Sequence, residues 1–121
     1  MGREHNFKSR RIPRKLRDSM ESREQDTAQE RKKIPVYLGF IKYFPNAIKE
    51  VSKASLIAND QHHPDTEVHW DMDKSTDEYD ALMRHLIDHD IEPMDDDNIL
   101  HLTKVAWRAM AGLERYLTNK L

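Results

Sequence analysis

Residues 75–87 read Ser-Thr-Asp-Glu-Tyr-Asp-Ala-Leu-Met-Arg-His-Leu-Ile, and their spacing sets the fold class. Ser75 followed three residues later by Glu78 is a capping box, the sign of a helix start. Tyr79, Leu82, Met83, Leu86 and Ile87 then recur at i, i+3, i+4, i+7 and i+8, the stripe of an amphipathic helix. The helix is expected to end between Asp88 and Asp90, because Pro93 cannot continue it. With the apolar stripe assigned to the core, Asp77, Asp80, Arg84 and Asp88 share another face.

Toward the C-terminus, Asp95-Asp96-Asp97-Asn98 predicts the start of a further helix. Acidic residues suit the positive end of a helix dipole, and Asp97 or Asn98 would cap it. Leu102, Val105/Ala106, Ala109, Leu113 and Tyr116/Leu117 form its apolar stripe, which runs to about Thr118. His101, Lys104 and Arg108 make a polar stripe opposite that core face. Facing Asp77 and Asp80, this stripe would form one wall of a cleft.

Toward the N-terminus, residues 59–74 have no helical period and contain Pro64. A loop this long in a small domain is usually functional or disordered. Here it carries His62, His63, His69 and Trp70. Before it, Pro45 suits a first helical turn, and Ala47/Ile48, Val51, Ala54/Ser55 and Ala58 predict a helix from Pro45 to Asn59. The apolar segment from Ile34 to Pro45 has the composition of a strand. No second strand is evident to pair with it, so an irregular segment or short helical turn over the core is expected.

Residues 1–33 are different in kind. They hold 11 Lys and Arg against 6 Asp and Glu, in a chain whose formal net charge is −2. A basic arm on an acidic body (residues 34–121) suggests either a flexible tail or an arm that binds nucleic acid, an assembly partner or a neighbouring subunit. The chain has 121 residues, of which 35% are charged. So thin a core points to a homo-oligomer. Cysteine is absent, which excludes disulfides, thiolate metal sites and a cysteine nucleophile. No apolar run is long enough to span a bilayer, and none follows the basic N-terminus as a secretory signal would require. No membrane partner is expected, and the location expected is cytoplasmic, with a virion as the alternative.

The chemistry rests on two helices and a loop. An i, i+3 pair of carboxylates, Asp77 and Asp80, can share a divalent cation, and Arg84 can meet phosphate charge. The competing reading is a solvated Asp80–Arg84 ion pair. Seven histidines are present, and His62, His63, His69, His85 and His101 are candidate metal ligands or acid–base groups. The His89-Asp90 dipeptide alone does not make a metal phosphohydrolase motif. Trp70 would either stack a base or pack in the core, and Trp107 is expected to pack. Phosphate-binding glycine loops and serine nucleophile elbows are missing.

Taken together, Tyr43-Phe44-Pro45-Asn46-Ala47, Gln61-His62-His63-Pro64, Val68-His69-Trp70-Asp71, Lys74-Ser75-Thr76-Asp77, Asp80-Ala81-Leu82-Met83-Arg84-His85-Leu86 and Ala106-Trp107-Arg108-Ala109 resemble the phage and bacterial dATP/dGTP diphosphohydrolase N-terminal domain family. The resemblance runs from about Ile34 to Tyr116. It implies an all-α fold of MazG-like character, here three main helices after a basic arm. It also implies Mg²⁺-dependent (or Mn²⁺-dependent) cleavage of a purine deoxynucleoside triphosphate to dNMP and pyrophosphate. On that reading Asp77, Asp80 and Glu50 are metal ligands, and Arg84, Lys104 and Arg108 bind phosphate. His85 or His101 assists proton transfer, while Trp70 and His69 contact the substrate. All-α pyrophosphohydrolases carry E-x-x-E on one helix and E-x-x-D on a later one. Asp77-x-x-Asp80 matches the later half, whereas Glu50 has no acidic partner three residues away. The alternative is a non-catalytic phage assembly or nucleic-acid-associated module that uses the arm.

Overall fold

The computed structural model describes residues 26–72 and 77–119. They form four helices: α1 (Ala28–Lys32), α2 (Pro45–His62), α3 (Glu78–Ile91) and α4 (His101–Asn119). A π-helical turn, Tyr37–Ile41, lies between α1 and α2. No strand occurs among the described residues, and Met94 and Leu100 make an isolated antiparallel bridge. The all-α class follows from the periodicity, and the three helices expected to dominate are α2, α3 and α4. Helix α4 is the centre of the packing: α3 lies along it and α2 crosses it over a smaller contact.

The local chemistry explains most boundaries. Thr27 caps α1 with a complete capping box, its hydroxyl accepting from the Glu30 N–H while the Glu30 carboxylate accepts from the Thr27 N–H. Pro45 opens α2 as expected, but the helix continues to His62 rather than stopping at Asn59. Residues 1–25, most of the expected arm, lie outside the described residues, as does Ser75.

Four expectations change. First, α3 begins at Glu78, with Asp77 at its N-cap making no side-chain capping bond and the Glu78 carboxylate turned inward; the expected capping box lies outside the described residues with Ser75. Second, α4 begins at His101, not within Asp95–Asn98. The acidic stretch instead forms a tight turn. Asn98 sits at φ 64°, a left-handed position that asparagine tolerates better than most residues. The Asp97 carboxylate accepts from the Ile99 N–H, and the Asp95 N–H donates to the Ile99 carbonyl. Short acidic side chains bonding their own backbone favour such a turn over a helical first turn.

Third, segment 34–45 does not cover the core. It is short and helical in part, yet Tyr37, Leu38, Tyr43 and Phe44 remain exposed, with Phe44 edge-on to Phe40 and Tyr43. Fourth, most of the two predicted apolar stripes faces outward, although Leu82, Val105 and Ala106 are partly buried. Tyr79 is 68% exposed, Met83 55%, Ile87 63%, Leu113 53% and Tyr116 67%. The most buried residues of α3's inner face are Glu78, Ala81, Leu82 and His85, also at i, i+3, i+4 and i+7, while the Tyr79 ring lies against Gly112 of α4 with most of its surface exposed. Periodicity gives a helix but not which of two competing faces is inside. Here the ionic and imidazole pairs across the helices select the polar face. In α2 the expected stripe is closer: Ile48, Val51, Ala54 and Ser55 are partly buried, with Asn59 in place of Ala58.

Candidate functional site

Two polar clusters lie between α3 and α4. At the start of α3, Glu78 is 3% exposed and holds two arginines of α4. Arg108 Nη1 donates to Glu78 Oε1 at 2.8 Å, and Arg115 Nε donates to Glu78 Oε2 at 2.8 Å. The arginines are seven residues apart, so both reach the same side of α4. One buried carboxylate between two guanidiniums is well hydrogen-bonded, and that makes its burial tolerable. Arg108 Nη1 also lies 3.9 Å from Asp77 Oδ1.

The second cluster sits one to two turns along. His85 Nδ1 and His101 Nδ1 are 3.0 Å apart, so one ring donates and the other accepts. Asp95 Oδ2 approaches both, at 4.0 Å from His85 Nδ1 and 3.8 Å from His101 Nδ1. Lys104 Nζ donates to Asp95 Oδ2 at 2.6 Å and to Asp97 Oδ2 at 2.7 Å. The Lys104 hydrogen bond, aided by the Asp96 N–H, holds the Asp95 carboxyl below its ordinary range. Burial pushes the Asp97 carboxyl up, but its bonds from Lys104 and the Ile99 N–H outweigh this and lower it. Burial would lower Lys104, and its two carboxylates raise it instead. Burial, with the positive charge of Lys104, lowers His85 and favours its neutral imidazole.

The third cluster is in the loop after α2. Asn59, buried at the end of α2, clamps this loop. Its Nδ2 donates to the Thr66 carbonyl at 3.1 Å, and its Oδ1 accepts from the His69 N–H at 3.4 Å. Trp70 then lands on α4, edge-on to Trp107 with centroids 5.7 Å apart and beneath the Arg115 guanidinium at 5.7 Å. Trp107 reaches α2, where its Nε1 donates to Ser55 Oγ at 3.1 Å. The His63 and His69 rings lie 4.7 Å apart, tilted by 41°, and His63 Nε2 is 3.9 Å from Asp71 Oδ2.

The anticipated site residues are distributed as follows. His101 and Arg108 of the stripe expected opposite the core instead face α3, whereas Lys104 pairs with the Asp95–Asp97 turn. The partners of His101 and Arg108 on α3 are His85 and Glu78, with Asp77 at longer range. Arg84 is exposed and its Nη2 lies 3.8 Å from Asp77 Oδ2, so Asp77 is its ion-pair partner. Asp80 is exposed on α3, one turn from Asp77. Glu50 lies on exposed α2 surface and pairs with Lys53 Nζ at 2.9 Å. Among the described residues, Glu50, Asp77 and Asp80 do not converge into one group within ligand reach. The groups that do are His85–Asp88–His101 and His63–His69–Asp71. His89 joins neither.

Glu78, Asn59, Asp71, Asp95 and Arg115 were missed as site residues. Glu78 was read for its spacing from Ser75, which fits a capping box, and not as a buried ion-pair partner. Nothing local links Glu78 to arginines 30 and 37 positions away.

A family model described as dATP/dGTP diphosphohydrolase, N-terminal, matches residues 23–121. The chain belongs to this family. The match covers every described helix and both sides of the α3–α4 interface, and it begins close to where the described residues begin. No curated protein and no solved structure matches the chain. Among the described residues, no helix is long and apolar enough to cross a membrane. In this chain the matched region is an all-α unit with two polar clusters between α3 and α4.

Proposed function

We propose that this chain is a nucleotide diphosphohydrolase that cleaves a purine deoxynucleoside triphosphate to dNMP and pyrophosphate with Mg²⁺. The family match over residues 23–121 carries the reading. The geometry of α3 and α4 refines which residues would do the work. Mg²⁺ is commonly bound by one or two carboxylates plus substrate phosphates and water. Asp77 and Asp80, both exposed and one turn apart at the start of α3, suit such a partial site. Glu50, engaged by Lys53, does not fit it within one chain. When bound with the nucleotide, the ion would neutralise phosphate charge.

The protein's own contribution follows from the charge balance. Lys104 is already neutralised by Asp95 and Asp97, so it offers no full charge to phosphate, and Arg108 is half-buried and tied to Glu78, which it shares with Arg115. Arg84, exposed and at 3.8 Å from Asp77, is the better phosphate ligand. His85 is held in its neutral form by burial and by Lys104, so it can accept a proton from an attacking water. His101, buried against it at 3.0 Å, acts as the positioning partner that fixes its ring. Trp70, on Trp107 and Arg115, and His69 in the same loop are the proposed substrate contacts.

The exposed apolar faces of α3 and α4 support a homo-oligomer. Tyr79, Met83 and Ile87 on one helix, and Leu113 and Tyr116 on the other, are each worth about 1.5–3 kcal/mol when covered. A second copy of the same chain is the proposed cover. The test is incubation of the full chain with dATP or dGTP and Mg²⁺, with pyrophosphate and dNMP measured. Turnover is expected, with Arg84→Ala raising KM and His85→Ala lowering kcat by about 10²-fold or more. No pyrophosphate at high protein concentration overturns the reading.

A further inference from the structure

We propose that His63, His69 and Asp71 form a binding site for a divalent transition-metal ion of the Zn²⁺ type, separate from the carboxylates of α3. One donor atom from each residue lies within 4.8 Å of the others. A tetrahedral zinc site with bonds of about 2.0–2.2 Å places its ligand atoms about 3.3–3.6 Å apart. The His63 Nε2 to Asp71 Oδ2 distance of 3.9 Å is therefore close to that of a formed site, and small side-chain rotations complete it.

Three features prepare these donors. His69 Nδ1 lies 2.9 Å from the Glu67 carbonyl, which can only accept, so Nδ1 carries the proton and Nε2 keeps the lone pair. A backbone carbonyl on the far nitrogen is the usual outer-shell support of a metal-bound histidine. Asn59, buried beneath the loop, bonds the backbone at Thr66 and His69 and limits the loop's freedom. Trp70, between the two loop ligands in sequence, is anchored on Trp107 and beneath Arg115. In a non-helical stretch, residues two apart tend to project to one side, so fixing Trp70 against α4 leaves His69 and Asp71 together on the other.

The donor set decides the ion. Two imidazoles and a carboxylate favour Zn²⁺ and its first-row neighbours, whereas Mg²⁺ prefers oxygen. Three protein ligands at a solvent-exposed position leave coordination places for water or for an anionic ligand. The site goes beyond the proposed hydrolase reading and stands or falls without it.

The test is titration of the full-length chain with Zn²⁺ by calorimetry, and with Co²⁺ by visible absorption. One equivalent per chain is expected. His63→Ala, His69→Ala and Asp71→Asn should each weaken binding at least tenfold with unchanged helical circular dichroism. His62→Ala, adjacent but outside the group, should bind as the parent does. Millimolar Mg²⁺ should not displace the Co²⁺ spectrum. Absence of binding, or binding that survives His69→Ala and Asp71→Asn, overturns the proposal. So does binding abolished by His101→Ala and retained in the loop variants, because it assigns the ion to the α3–α4 histidines. Pyrophosphate release enters none of these readouts, so failure of the hydrolase reading is seen separately.

Discussion

The inner and outer faces of the α3–α4 pair exchange the roles that helices in a small domain usually give them. Inside lie Glu78 with Arg108 and Arg115, and the His85–His101 pair with Asp95 and Lys104 at its edge. Outside lie Tyr79, Met83, Ile87, Leu113 and Tyr116. The small residues Ala81 and Ala111 form the buried apolar core among the described residues. An inner face built this way specifies partner and register through directional bonds but supplies little hydrophobic stabilisation. On the proposed homo-oligomer, the outer face would supply the apolar burial that a domain of this size needs.

The hardest way to break this arrangement is to remove the shared anion. Glu78→Gln leaves Arg108 and Arg115 without their common partner, and loss of one member of a buried ionic group costs about 3–5 kcal/mol. Urea unfolding monitored by circular dichroism should show that loss. A change of under 1 kcal/mol would mean that the inner face is not what holds the helices. Charging the outer face tests the other half of the comparison. Met83→Glu with Leu113→Glu should leave the isolated chain's fold intact, since both residues are exposed. Sedimentation should show the association constant falling at least tenfold. An unchanged assembly would place the interface elsewhere.

A smaller effect comes from pH. Asp95 and Asp97 have carboxyls lowered from 3.8, so their contribution is present above that value and is lost as pH falls through the lowered ones. His85 is lowered from 6.5, so protonating it as pH falls below 6.5 toward its folded value also destabilises the fold. Lys104 is raised from 10.5, and its contribution is present below that value and lost as pH rises through the raised one. Stability should therefore be flat between about pH 6.5 and 10.5 as far as these groups decide it. Lys104→Met should flatten the acid limb in a melting-temperature series. The smallest effect is expected at Gly112. A Cβ there would stand 2.9 Å from Cε1 of Tyr79, so the exposed ring must move. Gly112→Ala gains about 1 kcal/mol of helix propensity and gives part of it back through that displacement. Its net effect on melting should be the least of the four.

How far this was legible follows the range of each signal. The helices of residues 45–62 and 78–91 came from local spacing, and Pro45 marked its boundary through its own backbone chemistry. The start of α4 was misplaced because Asp95–Asn98 suits both a helix start and an Asx-type turn, and the turn wins once Lys104 bridges its two carboxylates. The polar stripe His101, Lys104 and Arg108 was legible as a unit, but it was expected opposite the core, and its place at the helix interface came from the fold. Its partners were not legible, because Asp77, Glu78 and Asp80 are adjacent acids and sequence does not say which one turns inward.

The sequence by itself determined that this chain is helical, rich in paired charge and a member of the dATP/dGTP diphosphohydrolase N-terminal family. Those properties are carried by spacing and residue type over a few turns, where physical rules are local. Only the tertiary structure decided that Glu78 is buried between two arginines, that His85 meets His101, and that Asn59 and Trp70 bring His63, His69 and Asp71 together. Each of these depends on contacts between elements, and the choice between two amphipathic faces is settled by the partner each face finds.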